Sequence, residues 1–237
     1  MIPTSIDGTD ITGATIDGTD VTEITVDGDV VFSSGPDFLS IVDDFEDGNL
    51  NEYVGATSGF TVQSNEEVFN GSNALKRFDS TGTNRIVSQS GLANYPQQGQ
   101  EFGWFVYVPS ASLSSNVVSQ ISWGQQSTDG TGTDGYITQI RPAQSKYVLG
   151  RGGSSLGNQT NNTNVTWSNF ADRWLEERIT WDTDGSMTAE IYDGEKDNGA
   201  SLIASLSFSD TTHSSGGIGF ELRNLVYVDF YHIKGTI

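Results

Sequence analysis

The sequence predicts an all-β chain, an antiparallel β-sandwich preceded by a small N-terminal arm of β-hairpin repeats. Three observations predict it. Short runs rich in Val, Ile, Thr, Tyr, Phe and Trp recur along most of the chain, alternating apolar with polar residues. Turn residues separate them, drawing on 28 Gly, and no segment carries a helical period. The opening residues repeat with a ten-residue period that stops before the longer pattern begins.

In the arm, Ile6-Asp7-Gly8-Thr9-Asp10-Ile11-Thr12 returns as Ile16-Asp17-Gly18-Thr19-Asp20-Val21-Thr22, and again as Val26-Asp27-Gly28-Asp29-Val30-Val31. Asp-Gly favours a tight hairpin because a type I′ turn needs positive φ at both central residues. Hairpins this short bury no core alone, so the arm (residues 1–35) is expected to pair across copies or dock on another protein. Ser33-Ser34-Gly35-Pro36 reads as a linker, and a large domain is expected over 41–237.

That domain opens on Asp43-Asp44-Phe45-Glu46-Asp47-Gly48-Asn49-Leu50-Asn51-Glu52-Tyr53, expected to hold a strand and a turn. Strands are predicted at 60–64, 74–78, 85–89, 102–108, 117–124, 136–140 and 147–150, with 102–108 the most apolar and central in a sheet. Trp174–Trp181 alternates cleanly, turns at Asp182–Gly185 and returns over Ser186–Tyr192. Segments 202–208, 217–222 and 226–233 complete about a dozen short strands, the spacing of a β-sandwich. The Asn/Thr-rich stretch 157–166 reads as an exposed polar loop; it holds three glycosylation sequons, at Asn158, Asn161 and Asn164, and Asn70 begins a fourth.

Composition narrows the function. The 31 Asp and Glu stand against 11 Lys and Arg, a formal net charge of -20, and no basic stripe exists to neutralise phosphates, so nucleic-acid binding is not expected. There is no Cys, hence no disulfide framework or thiol chemistry. Met1 to Asp7 has neither the basic nor the apolar region of a secretory signal, and no apolar run approaches the ~20 residues of a membrane span. A carboxylate-rich, Lys-poor surface with only 35% hydrophobic residues resembles the proteins of extreme halophiles, where a Debye length of ~3 Å at molar salt screens the self-repulsion.

Two further resemblances rest on motifs. The arm, with its run Ile16 to Phe32, resembles the N-terminal modules of structural proteins in haloarchaeal tailed viruses. The stretches 43–53, 69–76, 91–108, 174–194 and 216–235 resemble, in order, concanavalin A-like, laminin-G-like jelly rolls. The resemblance implies that the first and last strands lie side by side, bringing Asp43, Asp44 and Glu46 near Asp229. Carboxylates converging there suit a structural calcium held by Asp44, Glu46 and Asp229, since Ca²⁺ takes 6–8 oxygen ligands; the alternative is an acidic halophilic surface with no bound ion. The same fold hosts lectins, glycosidases and purely structural modules, so function must come from a site.

Glycoside hydrolysis needs two carboxylates roughly 5–10 Å apart across a cleft. Glu176 and Glu177 are adjacent and face opposite sides of their strand, and no zinc-type His spacing, P-loop or Ser elbow appears. No enzyme is expected. For sugar binding, aromatic rings to stack on and polar groups for hydroxyls point to Trp123, Tyr136, Arg141, Tyr147 and Arg151, with Gln125 and Gln139. The expected protein is a virion-surface turret, spike or fibre head, assembled as a trimer or pentamer, held to other virion proteins by its arm and contacting host surface-layer glycans. A cellular carbohydrate-binding module of a halophile is the alternative.

Overall fold

The computed structural model describes residues 5–6, 9–10, 14–16, 19–21, 23–26 and 29–33, then 40–77, 84–88, 96–127, 134–152, 159–162, 164–223 and 225–236. The chain divides into two units, Met1–Phe38 and Leu39–Ile237.

In the first unit, β1 (Ser5–Ile6) pairs with β2 (Thr9–Asp10), β3 (Ala14–Ile16) with β4 (Thr19–Val21), and β5 (Glu23–Val26) with β6 (Asp29–Ser33). Every pair is antiparallel and closes at the same register, Ile6 opposite Thr9, Ile16 opposite Thr19 and Val26 opposite Asp29. Two residues join each pair, and each time they are Asp-Gly, as a two-residue hairpin connection requires.

The second unit contains β7 (Ser40–Asp43), β8 (Tyr53–Gly55), β9 (Phe60–Gln63), β10 (Ala74–Arg77), β11 (Asn84–Ser88), β12 (Gln100–Tyr107), β13 (Ser119–Gln125) and β14 (Tyr136–Arg141). It continues with β15 (Lys146–Arg151), β16 (Gln159–Asn162), β17 (Trp174–Trp181), β18 (Ser186–Tyr192), β19 (Leu202–Ser209), β20 (Gly217–Leu222) and β21 (Val226–Thr236). They form two antiparallel sheets packed as a sandwich. An eight-stranded sheet runs β19-β18-β17-β12-β21-β10-β9, with β7 also on β21; a seven-stranded sheet runs β16-β15-β14-β13-β20-β11-β8. Apart from single 3-10 turns, no helix is present among the described residues.

Most predicted strands stand within two residues of their expected limits. The 157–166 stretch differs: Gln159–Asn162 is an edge strand pairing with β15 from Tyr147 to Gly150. Its Asn and Thr side chains gave it the composition of a loop, but an edge strand needs only one row of backbone partners and tolerates polar residues. The first and last strands do lie side by side. The long β21 runs along β12 on one edge and gives its other edge to β10 and then β7, with Asp43 opposite Tyr231.

Alternation on these strands builds the core. Phe102, Trp104 and Val106 on β12, Ile121 and Trp123 on β13, Tyr136 and Ile140 on β14, and Ile179 and Trp181 on β17 all enter the space between the sheets. Residues one step out of phase face outward, and some are covered by folded-back loops. Phe105, wholly buried, lies under Phe69 with ring centroids 3.5 Å apart.

Candidate functional site

The rings expected to carry sugar are in the core. Trp123 has no exposed surface and sits 5.8 Å from Phe102, 6.2 Å from Trp104 and 6.2 Å from Tyr136, centroid to centroid. Tyr136 packs edge-on to Trp181 at 5.3 Å, and its hydroxyl meets Asp210 Oδ1 at 3.1 Å and accepts the His213 N–H at 3.0 Å. Tyr147 is wholly buried and donates its hydroxyl to Glu177 Oε2 at 3.0 Å. Strand periodicity is the reason, since Trp123, Tyr136 and Tyr147 occupy the inward phase of three neighbouring strands. None of the three presents a face to solvent.

Glu176 and Glu177 separate as their adjacency requires. Glu177 enters the interior, where burial raises its pKa against hydrogen bonding that includes Tyr147. Glu176 points the other way and pairs with Arg178 Nη2 at 2.5 Å.

The carboxylates expected to hold calcium accept backbone N–H groups. Glu46 Oε1 accepts the Ser72 and Asn73 N–H groups, each at 2.8 Å, and Asp229 Oδ2 accepts those of Phe69 and Asn70 at 2.8 and 3.1 Å. Asp44 Oδ1 receives the Glu46 N–H at 3.2 Å. Glu46 and Asp229 converge on one segment, the 69–73 turn, as acceptors of its N–H groups, while Asp44 bonds within its own turn. Among the described residues no three His, Asp or Glu gather as a metal cluster.

The two arginines part company. Arg151 reaches Asp210 Oδ2 at 3.2 Å, near the buried Tyr136. Arg141 lies on the outward phase of β14, with Gln139, and there it joins a row that crosses the seven-stranded sheet. Register places Arg85, Glu221, Gln120 and Gln139 directly opposite one another on β11, β20, β13 and β14. Their hydrogen bonds converge on Glu221. Arg141 Nε donates to Gln139 Oε1 at 2.6 Å, Gln139 Nε2 donates to Gln120 Oε1, and Gln120 Nε2 donates to Glu221 Oε2 at 3.0 Å. From the other side Arg85 Nε donates to Glu221 Oε2 at 2.8 Å, and Arg223 Nη2 to Oε1 at 2.6 Å. Each amide is oriented by the charged groups at the two ends, so the row has little freedom to reorganise.

Burial grades along this row. Gln120, Gln139 and Glu221 are 7%, 5% and 2% exposed and form a fixed floor. Val87, Ile137 and Val148, on the same outer phase, are buried as well. The more open positions are the cations: the Arg85 and Arg223 side chains are 24% and 41% exposed, and Arg141 and Lys146 are half-buried. Burial, and then the charge of nearby Arg223, lower the Arg141 pKa.

Of this row the sequence singled out Arg141 and Gln139. Gln120, Glu221, Arg85, Arg223 and Lys146 were missed, because only strand order and register bring four distant segments into line. Alternation alone could have shown that Arg141 and Gln139 share a face away from Tyr136 and Ile140.

No known protein family matches the sequence, and no characterised protein matches it. Among solved structures, the botulinum neurotoxin serotype D binding domain aligns over 74% of this chain and 41% of its own, with 14% identity and a TM-score of 0.48. A serotype D ligand-binding domain in complex with N-acetylneuraminic acid aligns over 80% of this chain and 47% of its own, at 15% identity and a TM-score of 0.46. The exoplasmic/lumenal domain of VIP36 in its Ca2+/Man3GlcNAc-bound form aligns over 78% and 88%, at 7% identity and a TM-score of 0.48. The chain thus spans under half the length of the neurotoxin domains it resembles.

Proposed function

We propose that this chain is a non-enzymatic glycan-binding display module on the virion surface of a haloarchaeal tailed virus. Its sandwich is the head of a turret, spike or fibre, and residues 1–35 anchor it to other virion proteins and to its own copies as a trimer or pentamer. The observation that carries the binding reading is the transverse row Arg85–Glu221–Gln120–Gln139–Arg141 on the outer face of the seven-stranded sheet. The buried amides and carboxylate hold the guanidinium groups in place at the exposed margin of the row, and guanidinium N–H groups are donors that sugar hydroxyls require. Held in place beforehand, they lose little freedom when a ligand arrives. The repeated Asp-Gly hairpins and the acidic composition support the virion setting.

Binding of the full chain to an array of host-envelope glycans at molar salt tests the reading. Wild type is expected to bind a subset, Gln139→Ala is expected to lose it, and no glycan is expected to be shortened during incubation. Binding that survives Gln139→Ala unchanged would move the site off this face. Sedimentation of the full chain should give a trimer or pentamer; a monomer would remove the arm's proposed role.

A further inference from the structure

The cations of this protein are few, and nearly all are accounted for. Lys76 pairs with Glu66, Arg85 and Arg223 with Glu221, Arg151 with Asp210, Arg173 with Asp193, and Arg178 and Lys196 with Glu101 among other acids. Arg77 is buried against the Leu222 and Gly59 carbonyls. Arg141 and Lys146 make no ion pair among the described residues, and they are directly opposite each other on β14 and β15. They flank a tight connection, Pro142–Gln144 followed by Ser145 at φ 53°, that fixes the register.

Like charges directly opposite on neighbouring strands destabilise a sheet, with Cβ atoms only ~4.5–5.5 Å apart. Here a third positive group adds to them. Arg223 follows β20, across the strand that begins at Ser119, and is close enough to act on Arg141. The only described carboxylate in the row is Glu221, already shared by Arg85 and Arg223, with two amides standing between it and Arg141. Among the described residues, a protein of net charge -20 therefore gathers three cations around a single shared carboxylate at one end of the proposed glycan face.

We infer that Arg141, Lys146 and Arg223 form an anion subsite of that face, and that the glycan it takes is acidic, carrying a carboxylate or a sulfate ester. The inference rests on the glycan-binding reading for the sugar but not for the anion. The Arg141 fork matches two oxygens of a planar or tetrahedral anion, while the Lys146 ammonium adds a point charge. The sugar ring attached to that anion would lie toward Gln139 and Glu221. The bound charge also relieves the repulsion that the empty subsite carries.

The test uses the full chain with two matched probe pairs, an oligogalacturonate with its carboxyl-reduced form and a sulfated oligogalactan with its desulfated form. Wild type is expected to bind at least one acidic member about tenfold or more tighter than its neutral partner, the scale of one charge-assisted bond. Arg141→Gln and Lys146→Gln should each abolish that preference, and Lys146→Gln, whose side chain lies outside the hydrogen-bonded row, should leave the neutral affinity and the fold unchanged. Equal affinity for acidic and neutral members overturns the anion subsite and leaves glycan binding standing. In parallel, inorganic sulfate should raise the wild-type Tm more than that of either variant at equal ionic strength, an arm that needs no glycan. A sulfate response identical in wild type and both variants overturns the subsite whatever the glycans do. A differential sulfate response without binding of any probe supports the subsite and counts against the glycan.

Discussion

Replacing Asp43 by Asn is expected to flatten the pH dependence of stability. Asp43 ends β7, where Oδ1 accepts the Phe45 N–H at 2.8 Å and Oδ2 the Tyr53 hydroxyl at 2.5 Å. Burial raises its pKa to about 6 against those two hydrogen bonds, and the charges of Glu52 and Asp47 add to the rise. In the unfolded chain the group titrates near 3.8. Between the two values the native state holds a proton that the unfolded state has released. The group's stabilising contribution is therefore full below pH 3.8 and lost as pH climbs through 6. At about 1.4 kcal/mol per unit, the loss amounts to roughly 3 kcal/mol in all, with roughly 2 kcal/mol of it between pH 4 and 7. In a domain of about 200 residues this is roughly 4–8 °C in Tm.

Glu66, Asp184, Glu190 and Asp210 run the other way, since their native values are lowered. Their contributions grow with pH but are largely complete above the unfolded carboxylate range, near 4.5. Among the described acids with a shifted value, Asp43, at about 6, acts between pH 5 and 7, and Glu177 is raised in the same sense. Asparagine does not titrate, so the stability difference between variant and wild type should shift by roughly 2 kcal/mol in the variant's favour from pH 4 to pH 7. Urea unfolding followed by tryptophan fluorescence, at fixed salt and four pH values, measures it. Parallel curves for the two proteins would refute the reasoning.

Trp123→Ala should cost about 3–5 kcal/mol through the cavity left among Phe102, Trp104 and Tyr136, while the folded fraction keeps its glycan affinity; urea unfolding and a binding titration check both halves. Arg178→Met should cost about 3–5 kcal/mol, because Glu176 is left as a wholly buried carboxylate without its cation, and adding Glu176→Gln should restore part of the loss in the same unfolding assay.

The strands were legible because alternation is a local property. Trp174–Trp181 and Ser186–Tyr192 alternate so regularly that nothing distant was needed to place them. Gln159–Asn162 was not legible, since its pairing comes from β15 rather than from its own side chains. The aromatic candidates lie in the core for a related reason. A Trp or Tyr on a strand has a phase, but sequence alone does not say which phase is inside, and Trp123, Tyr136 and Tyr147 all fell inward. The acids of the 43–53 stretch could be counted but not followed: Asp43, Asp44, Asp47 and Asn49 each accept the N–H two residues on, an economy of local turns that composition does not reveal.

By itself, then, the sequence determined the all-β class, the Asp-Gly hairpins and the opposite facing of Glu176 and Glu177, all of which follow from φ preferences and the two-residue period of a strand. The tertiary structure alone decided which residues form the proposed binding face. Arg85, Gln120, Gln139 and Glu221 are scattered over 137 positions of the sequence and meet only because four strands from different parts of the chain share one sheet at one register. Hydrogen-bond register is a relation between strands, and no single strand carries it.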